Sequence, residues 1–328
     1  MQNKIRVAFI YKDLADAVSP NYFASTYYHF FMDALKRNNK IDVTYFPSEN
    51  RFDTSVLKGK FDIILLCDNY PSGSPDELIG IRNLDIPVVC RVNDPHDAIV
   101  KGKIAYNEKY KIDYYFGYIP EPFFHKYYPK EFKYKVIIYG LEPSIYQNLE
   151  PFQNRIKNRI LCSGAAESRK FYNRIIERIM RWRGELSLHK HYKLRTMCIN
   201  LPYVDYTSTL QHQYVGDNYP QLLSKYASSI AAHSLYPVLK YIEIPAAGCL
   251  TFMEVTQKNN AAIFGFKDGE TAIFINEKNY KEKFQEFLND SDNPKWEKIA
   301  NAGRNYALEQ LNNDKAVDSL VDLMEELV

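Results

Sequence analysis

Short apolar runs of strand length alternate with amphipathic stretches from the start of the chain: IRVAFIY (5–11), IDVTYF (41–46), FDIILLC (61–67), PVVCRV (87–92), DYYFGYI (113–119) and YKVIIYG (134–140). Strands that alternate with helical patterns build βαβ units, and βαβ units build a parallel sheet. Between the first two runs, Ser19 and Pro20 read as an N-cap and a first helical residue, and Phe23, Tyr27, Phe30, Phe31 and Leu35 recur behind them at helical spacing. The stretch EPSIYQNLEPFQNRIKN (142–158) carries Pro143 and Pro151 and has no helical or strand period, so it reads as a linker. A second series follows it: RILCSGAA (159–166), a helix from Glu167 to Arg183, KLRTMCIN (193–200), SSIAAHS (228–234), a helix over Pro237 to Ala247, CLTFMEV (249–255), AAIFGF (261–266) and TAIFIN (271–276). Two helices, Tyr280 to Asn289 and Lys295 to Val328, end the chain.

The fold class this predicts is α/β, with two Rossmann-like domains facing a central cleft. The expected boundaries are 1–145 for the first domain, 146–158 for the linker, 159–300 for the second domain and 301–328 for a C-terminal helix. The length of 328 residues agrees, at roughly 150 residues per domain.

Composition narrows the function. Hydrophobic residues at 46% and charged residues at 25% are those of a soluble globular protein and exclude disorder, collagen-like repeats and coiled coil. Lys and Arg (42) nearly balance Asp and Glu (40), for a net charge of +2, which argues against duplex nucleic acid as the main partner. The five cysteines, Cys67, Cys90, Cys162, Cys198 and Cys249, are an odd number without CxxC spacing, and four lie in apolar runs; they are expected to be reduced and buried in a cytoplasmic protein. No apolar run approaches the roughly 18 to 20 residues of a membrane span, and the first run is interrupted by Arg6 and followed by Lys12 and Asp13, unlike a signal peptide. Tyr, Phe and Trp together reach 15%, a proportion that suits a planar or hydroxyl-rich ligand but that genome composition explains equally.

The motifs that are missing remove several chemistries. There is no GxGxxG after the first strand, no GxxxxGK[ST], no GxSxG elbow, no HExxH and no zinc-ligand spacing; no metal site is expected, and Asp290 to Asp292 reads as a turn. The informative segment is YPVLKYIEIPAAGCLTF (236–252). Pro237 suits a first helical residue and Gly248 the residue after the helix, so a short helix stands between two buried strands with its N-terminus toward the sheet's C-terminal edge. Free amides near Tyr236, Pro237 and Val238 would favour a phosphate or diphosphate there, Pro237 itself having none to give. Glu243, in an otherwise apolar helix with Lys240 one turn before it, is costly without a polar partner such as sugar hydroxyls, unless it is a buried carboxylate satisfied within the protein or an exposed partner of Lys240.

KYIEIPAAGCLTF together with FKDGETAIFIN (266–276) and EKIANAGRNYALEQ (297–310) resembles the C-terminal half of GT-B glycosyltransferases, specifically the group related to the spore maturation protein CgeB and the glycosyltransferase group 1 family. The resemblance covers about the last 100 residues; the N-terminal half matches in strand and helix order. It implies a nucleoside-diphosphate-sugar donor bound by the second domain, a hydroxyl acceptor bound by the first, no cofactor, no obligatory metal, and retention of configuration. It also implies that the last helix crosses back onto the first domain, although the spacing of Ile299, Ala302, Tyr306 and Leu320 suits a helix covering its own domain equally well. By resemblance, Glu243 is the second acid of the family's Glu-x7-Glu motif, which holds the donor's ribose; the first acid falls at Leu235, where this chain departs from the motif.

The same reading singles out Gly164, after a strand, for close approach to a phosphate, with Arg169 and Lys170 in the next helix's first turn to neutralise a leaving diphosphate, and Tyr236 and Lys240 as further donor-site residues. Lys170, Arg174, Arg178 and Arg181 form a basic stripe that either is an ordinary solvated face or touches anionic lipid or a polyanionic acceptor at the inner membrane surface. In the N-terminal half, PVVCRVNDPHDA (87–98) gathers Arg91, Asn93, Asp94, His96 and Asp97 at the end of a strand. Asp94 and His96 are the candidates to take the acceptor's proton or to bind the acceptor or donor sugar, against a plain turn. His29 is a weaker candidate, and His189, His191 and His212 have no metal-like spacing. Two alternatives share the expected cleft: a non-catalytic sugar- or nucleotide-binding protein, and a sugar-nucleotide epimerase that needs no acceptor.

Overall fold

The computed structural model describes residues 4–12, 29–71, 73–92, 94–167, 188–207 and 218–328, with the side chains of 29–30 and 188–190 left aside. The chain divides into two compact units, residues 1–140 with 313–328, and residues 141–312.

The first unit is built on a six-stranded sheet, all pairs parallel, in the order β2-β1-β4-β6-β7-β8. Its strands are β1 (Ile5–Lys12), β2 (Ile41–Ser48), β4 (Ile63–Leu66), β6 (Val88–Arg91), β7 (Tyr114–Gly117) and β8 (Tyr134–Val136), and β3 (Arg51–Asp53) pairs with β5 (Glu77–Ile79) in a separate ribbon. IILL and VVCR are buried at every residue because helices and loops cover both faces of the sheet. Helix α1 (His29–Arg37) follows β1, and single turns α2 (Tyr106–Lys109) and α3 (Glu121–Phe124) flank β7. Residues 13–28, which carry most of the expected first helix including Ser19 and Pro20, lie outside the described residues.

The second unit has five parallel strands in the order β10-β9-β11-β12-β13: β9 (Ile160–Ser163), β10 (Val204–Thr207), β11 (Ser228–Ala231), β12 (Leu250–Glu254) and β13 (Ile273–Ile275). Its helices are α4 (Leu188–Cys198), α5 (Tyr219–Leu223), α6 (Lys240–Ala246), α7 (Tyr280–Asn289) and α8 (Pro294–Gln310). Phe252, Phe284, Phe287 and Trp296 pack edge to face between the sheet and the last two helices. Helix α8 packs on α6 and on the turn before β13: a Cβ on Gly303 would stand 3.6 Å from Pro245 Cβ and only 2.3 Å from the Thr271 carbonyl oxygen. Gly248, at φ +72°, ends the turn after α6 as expected from its sequence position.

Several expectations are corrected. KLRTMCIN is helix rather than strand: Leu194, Cys198 and Ile199 are buried, and a step of four residues followed by one keeps them on one helix face. The edge neighbour of β9 is VDYT, where Val204 is the one buried residue, so the strand escapes a search for apolar runs. AAIFGF forms a 3₁₀ turn, Ala261–Phe264. The stretch 146–158 is part of the second unit, with Phe152 in its core and the Arg155 Nε–H donating to the Glu150 carbonyl at 2.8 Å. The final helix is two: α8 stays with the second unit, and α9 (Asn313–Glu325) belongs to the first. There Ala316, Val317, Leu320, Val321 and Met324 are buried, α9 packs on α1, and the Asn313 side chain accepts a hydrogen bond from the Gly140 amide at 2.7 Å. The boundary at 301 therefore moves to 313, where the break at Leu311 and Asn312 lets the chain change units. All five cysteines are free and buried, and Asp290 to Asp292 lies in a turn. Among the described residues no helix is long and apolar enough to cross a membrane.

Candidate functional site

Strand order locates the site in the second unit. From β9 the chain runs to β10 on one side, and from β11 it runs to β12 on the other, so the loops leaving β9 and β11 part company and open a crevice at the C-terminal edge, the place where open α/β sheets bind ligands. Ser163 ends β9, and Gly164 leaves it at φ +109°, a conformation that only glycine adopts without strain. The Gly164 amide donates to the Thr207 carbonyl at 3.1 Å, continuing the ladder with β10. What the missing side chain provides is room for two cations: where a Cβ would stand, Arg195 Nη1 lies at 2.7 Å and Lys240 Cε at 2.9 Å.

Arg195 comes from α4 and is 2% exposed. Its Nη1 donates to the Ala165 carbonyl at 3.0 Å and its Nη2 to the Ala232 carbonyl at 2.6 Å, so one guanidinium ties together the loops that leave β9 and β11. Its Nε has no hydrogen-bond partner among the described residues. The helix is kinked at Tyr192 (φ −125°, ψ 35°), which brings that ring to 4.6 Å from the guanidinium carbon. Lys240 opens α6, largely buried, and its Nζ donates to Tyr219 Oη at 3.2 Å; Tyr219 Oη in turn shares a hydrogen bond with Ser163 Oγ at 2.5 Å. Burial pulls the Lys240 ammonium down to about 8, with Arg195 adding to the effect and Glu243 opposing it. Glu243 sits one turn on; burial raises its carboxyl, Lys240 opposes, and no donor among the described residues reaches it. Two cations at one spot and a carboxylate without a donor can take a diphosphate and a hydroxyl-bearing group side by side.

The expected helix start is corrected as well. Helix α6 begins at Lys240, not Pro237, and the amides of Leu235 and Tyr236 are already taken by His233 Nδ1, at 3.4 and 3.2 Å. The Tyr236 side chain is buried and lies against the His233 ring. Behind it, Tyr241 Oη accepts from the His233 amide and donates to the Glu254 carbonyl, while Asn259 Nδ2 donates to the carbonyls of both His233 and Glu254, fixing the loops that leave β11 and β12. Arg169 and Lys170, and the basic stripe to Arg181, lie outside the described residues, as do Asn93 and His212.

Glu254 closes β12 at 3% exposure, and its Oε2 has no hydrogen-bond partner among the described residues. Burial raises its carboxyl to about 7, against the opposing charge of Arg195. A folded-state value above the unfolded one means stability that is complete below the unfolded value and is lost as pH rises through the folded value. Wild-type protein is therefore expected to gain stability as pH falls from 8 to 5, and Glu254→Gln to lose most of that slope, as read by denaturant midpoints across that range.

In the first unit, Asp94 takes left-handed backbone angles (φ 38°, ψ 74°) after β6 and opens a 3₁₀ turn, Pro95–Asp97. His96 Nε2 is 3.6 Å from the Asp97 carboxylate, which pairs with Lys101 at 2.6 Å. The structure thus places Asp94 and His96 together at the C-terminal edge of the first sheet. Beneath them Arg91 is buried, its Nε donating to the Cys67 carbonyl at 2.7 Å and its Nη1 to Tyr139 Oη at 3.0 Å. Among the described residues no three His, Cys, Asp or Glu side chains converge as metal ligands would.

This arrangement has relatives among solved structures. It is similar to sucrose-phosphate synthase from Thermosynechococcus elongatus, with a TM-score of 0.58, 11% identity and 99% of each chain covered. It is similar to an α-glucosyltransferase in complex with UDP, with a TM-score of 0.56, 9% identity and coverage of 98% of this chain and 100% of that one. HepE from Anabaena in complex with UDP gives a TM-score of 0.53, 10% identity, and 99% and 100% coverage. The fold is GT-B. At these identities the likeness is one of fold. No family model matches the chain, and no curated protein sequence matches it.

Sequence reasoning missed Arg195, Tyr219, His233 and Glu254. An arginine inside an apolar run, LRTMC, was a signal for the first, since a buried guanidinium must bind something. Nothing in spacing joins Ser163, Tyr219 and Lys240.

Proposed function

We propose that this protein is a glycosyltransferase that moves a sugar from a nucleoside-diphosphate sugar to a hydroxyl acceptor. The observation that carries the reading is the pair Arg195 and Lys240 meeting at Gly164 on the switch point of the second sheet, with the carboxylate of Glu243, which no donor among the described residues reaches, one helical turn away. As the bond between the sugar's anomeric carbon and the diphosphate oxygen breaks, negative charge grows on the diphosphate; fixed cations already aimed at that spot lower the barrier without rearrangement. Glu243 accepts hydrogen bonds from the ribose hydroxyls, and Arg169 and Lys170 add positive charge. On the acceptor side, His96 or Asp94 takes the proton released when the acceptor oxygen bonds to the anomeric carbon. The likeness in fold to two proteins solved with UDP supports a nucleoside diphosphate as the leaving group, and KYIEIPAAGCLTF supports kinship with the CgeB-like and group 1 enzymes, with retention of configuration and no metal requirement.

The test is a set of thermal melts with UDP, GDP, ADP, CMP and dTDP and their sugar conjugates. A ligand present at about 100 times its dissociation constant stabilises the native state by about 2.7 kcal/mol, so one nucleotide family is expected to raise the melting temperature clearly. Glu243→Ala is expected to melt like wild type without ligand and to bind that nucleotide roughly tenfold more weakly, the worth of one hydrogen bond to a charged group. A folded wild-type sample that no nucleotide stabilises would overturn the reading.

A further inference from the structure

We propose that the hydroxyls of Tyr219 and Ser163 are a positioning device for Lys240, holding its ammonium at Gly164 beside Arg195 so that the two cations take an anionic group together. The inference rests on the function proposed above only for the identity of that anion.

A lysine at the start of a helix normally extends its flexible stem and keeps its ammonium in water. Here Lys240 is turned inward instead, and the neighbouring guanidinium of Arg195 repels it. Something must hold it in place. Three separate elements supply the hold: Ser163 at the end of β9, Tyr219 at the start of α5, and Lys240 itself at the start of α6. Tyr219 Oη lies 3.2 Å from Nζ, and the ammonium is 4.3 Å from the centre of the same ring, so one side chain offers both an acceptor and a π face. The Ser163 Oγ to Tyr219 Oη contact of 2.5 Å fixes the phenol hydroxyl, and Tyr219 is 7% exposed, so its ring cannot swing away. Among the described residues, the charged and titratable groups that face Lys240 are Glu243 on its own helix, Arg195 on α4, the Cys162 thiol on β9 and the Tyr219 phenol on α5. Burial raises the thiol to about 11 and the phenol higher still, so both are neutral near pH 8 and the ammonium is the group that changes charge there.

The expected consequences have definite signs. The ammonium is charged below about 8, so anion affinity should fall as pH rises through that value. Tyr219→Phe keeps the ring and removes the acceptor; the charged form loses support, and the midpoint should move down by about one pH unit, which leaves roughly a third as much of the charged form at pH 7.5 and so roughly threefold weaker UDP binding there. Lys240→Arg stays charged and should bind UDP equally at pH 7 and pH 9.

The experiment is competitive labelling of the full chain with acetic anhydride from pH 6 to 11, read by mass spectrometry on the peptide carrying Lys240, in wild type, Tyr219→Phe and Ser163→Ala, with UDP calorimetry on the same samples. A wild-type midpoint near 8 that falls in Tyr219→Phe, with UDP shielding Lys240, supports both the positioning role and the proposed function. The same midpoints without UDP binding support the positioning role and count against the nucleoside-diphosphate reading. Should Tyr219→Phe not fold, Ser163→Ala, which leaves the ring in place, should move the midpoint the same way by less. A Lys240 midpoint near the ordinary 10.5, or one unmoved in every variant that folds, overturns the proposal whatever UDP does.

Discussion

Gly303→Ala is expected to destabilise the second unit by about 2 to 3 kcal/mol, although the position lies inside a helix where alanine is intrinsically better than glycine by about 1 kcal/mol. The two effects oppose each other, and distance decides between them. An added Cβ would meet the Thr271 carbonyl at 2.3 Å, far inside contact, and Pro245 Cβ at an ordinary 3.6 Å. The carbonyl cannot give way cheaply, because its turn is closed by the Lys267 amide bonding to Thr271 Oγ1, the Gly269 amide to the Ala272 carbonyl and the Phe274 amide to the Asp268 carboxylate. Helix α8 must then lift from the turn before β13, loosening Trp296 and Ala300, which are buried on its inner face. Trp296 is buried in the second unit, so its fluorescence in guanidinium chloride reports on that unit. The midpoint is expected to fall by roughly 0.5 M at unchanged slope. A rise in midpoint would show that propensity wins and that α8 has space to spare.

How much of this could be read from the sequence depends on the range of the forces involved. The central strands of both sheets were legible because a strand covered on both faces must be apolar at every residue, as IILL, VVCR and ILCS are. Edge strand VDYT was not, since Val204 is its one buried residue, and the helix before it was mistaken for a strand because Leu194, Cys198 and Ile199 are equally at home in either. Gly248 was legible through its local backbone demand; the start of α6 was misplaced by three residues because Pro237 is a good first residue in general, while here the amides of Tyr241 and Ile242 bond three residues back, to Val238 and Leu239, and a four-residue bond enters with the Glu243 amide to Leu239. Lys240 and Glu243 stood out as charges in an apolar helix. Their partners did not, because Ser163, Tyr219 and Lys240 meet only through the strand order β10-β9-β11, and no local pattern encodes that order. The change of unit at Asn313 was hidden for a related reason: a continuous amphipathic period passes through Leu311 and Asn312 with little sign that its two halves face different sheets.

Gly164→Ala should separate the two roles a glycine can have at the end of a first strand. If its purpose were only to let a phosphate approach the backbone, alanine would cost the strain of its backbone angle, about 1 to 3 kcal/mol of stability at φ +109°, and would block the ligand from one side. The structure says more. The space a Cβ would fill holds Arg195 Nη1 at 2.7 Å and Lys240 Cε at 2.9 Å, so alanine must displace both cations. Lys240 can retreat along its stem, but Arg195 is held by the carbonyls of Ala165 and Ala232, and moving it leaves those two acceptors inside the site without their donor. The loss of two charge-assisted contacts to a diphosphate is expected to weaken UDP binding about a hundredfold, more than the roughly tenfold loss expected for Glu243→Ala, while Glu243 itself stays in place. The deciding measurement is UDP affinity by calorimetry in Gly164→Ala and in Gly164→Ala combined with Lys240→Met. If the cation pair is what the glycine protects, the second substitution adds little to the first, because the same contact has already been lost. If the two losses instead add in full, Gly164 and Lys240 act on the ligand independently, and the shared notch has no part in binding.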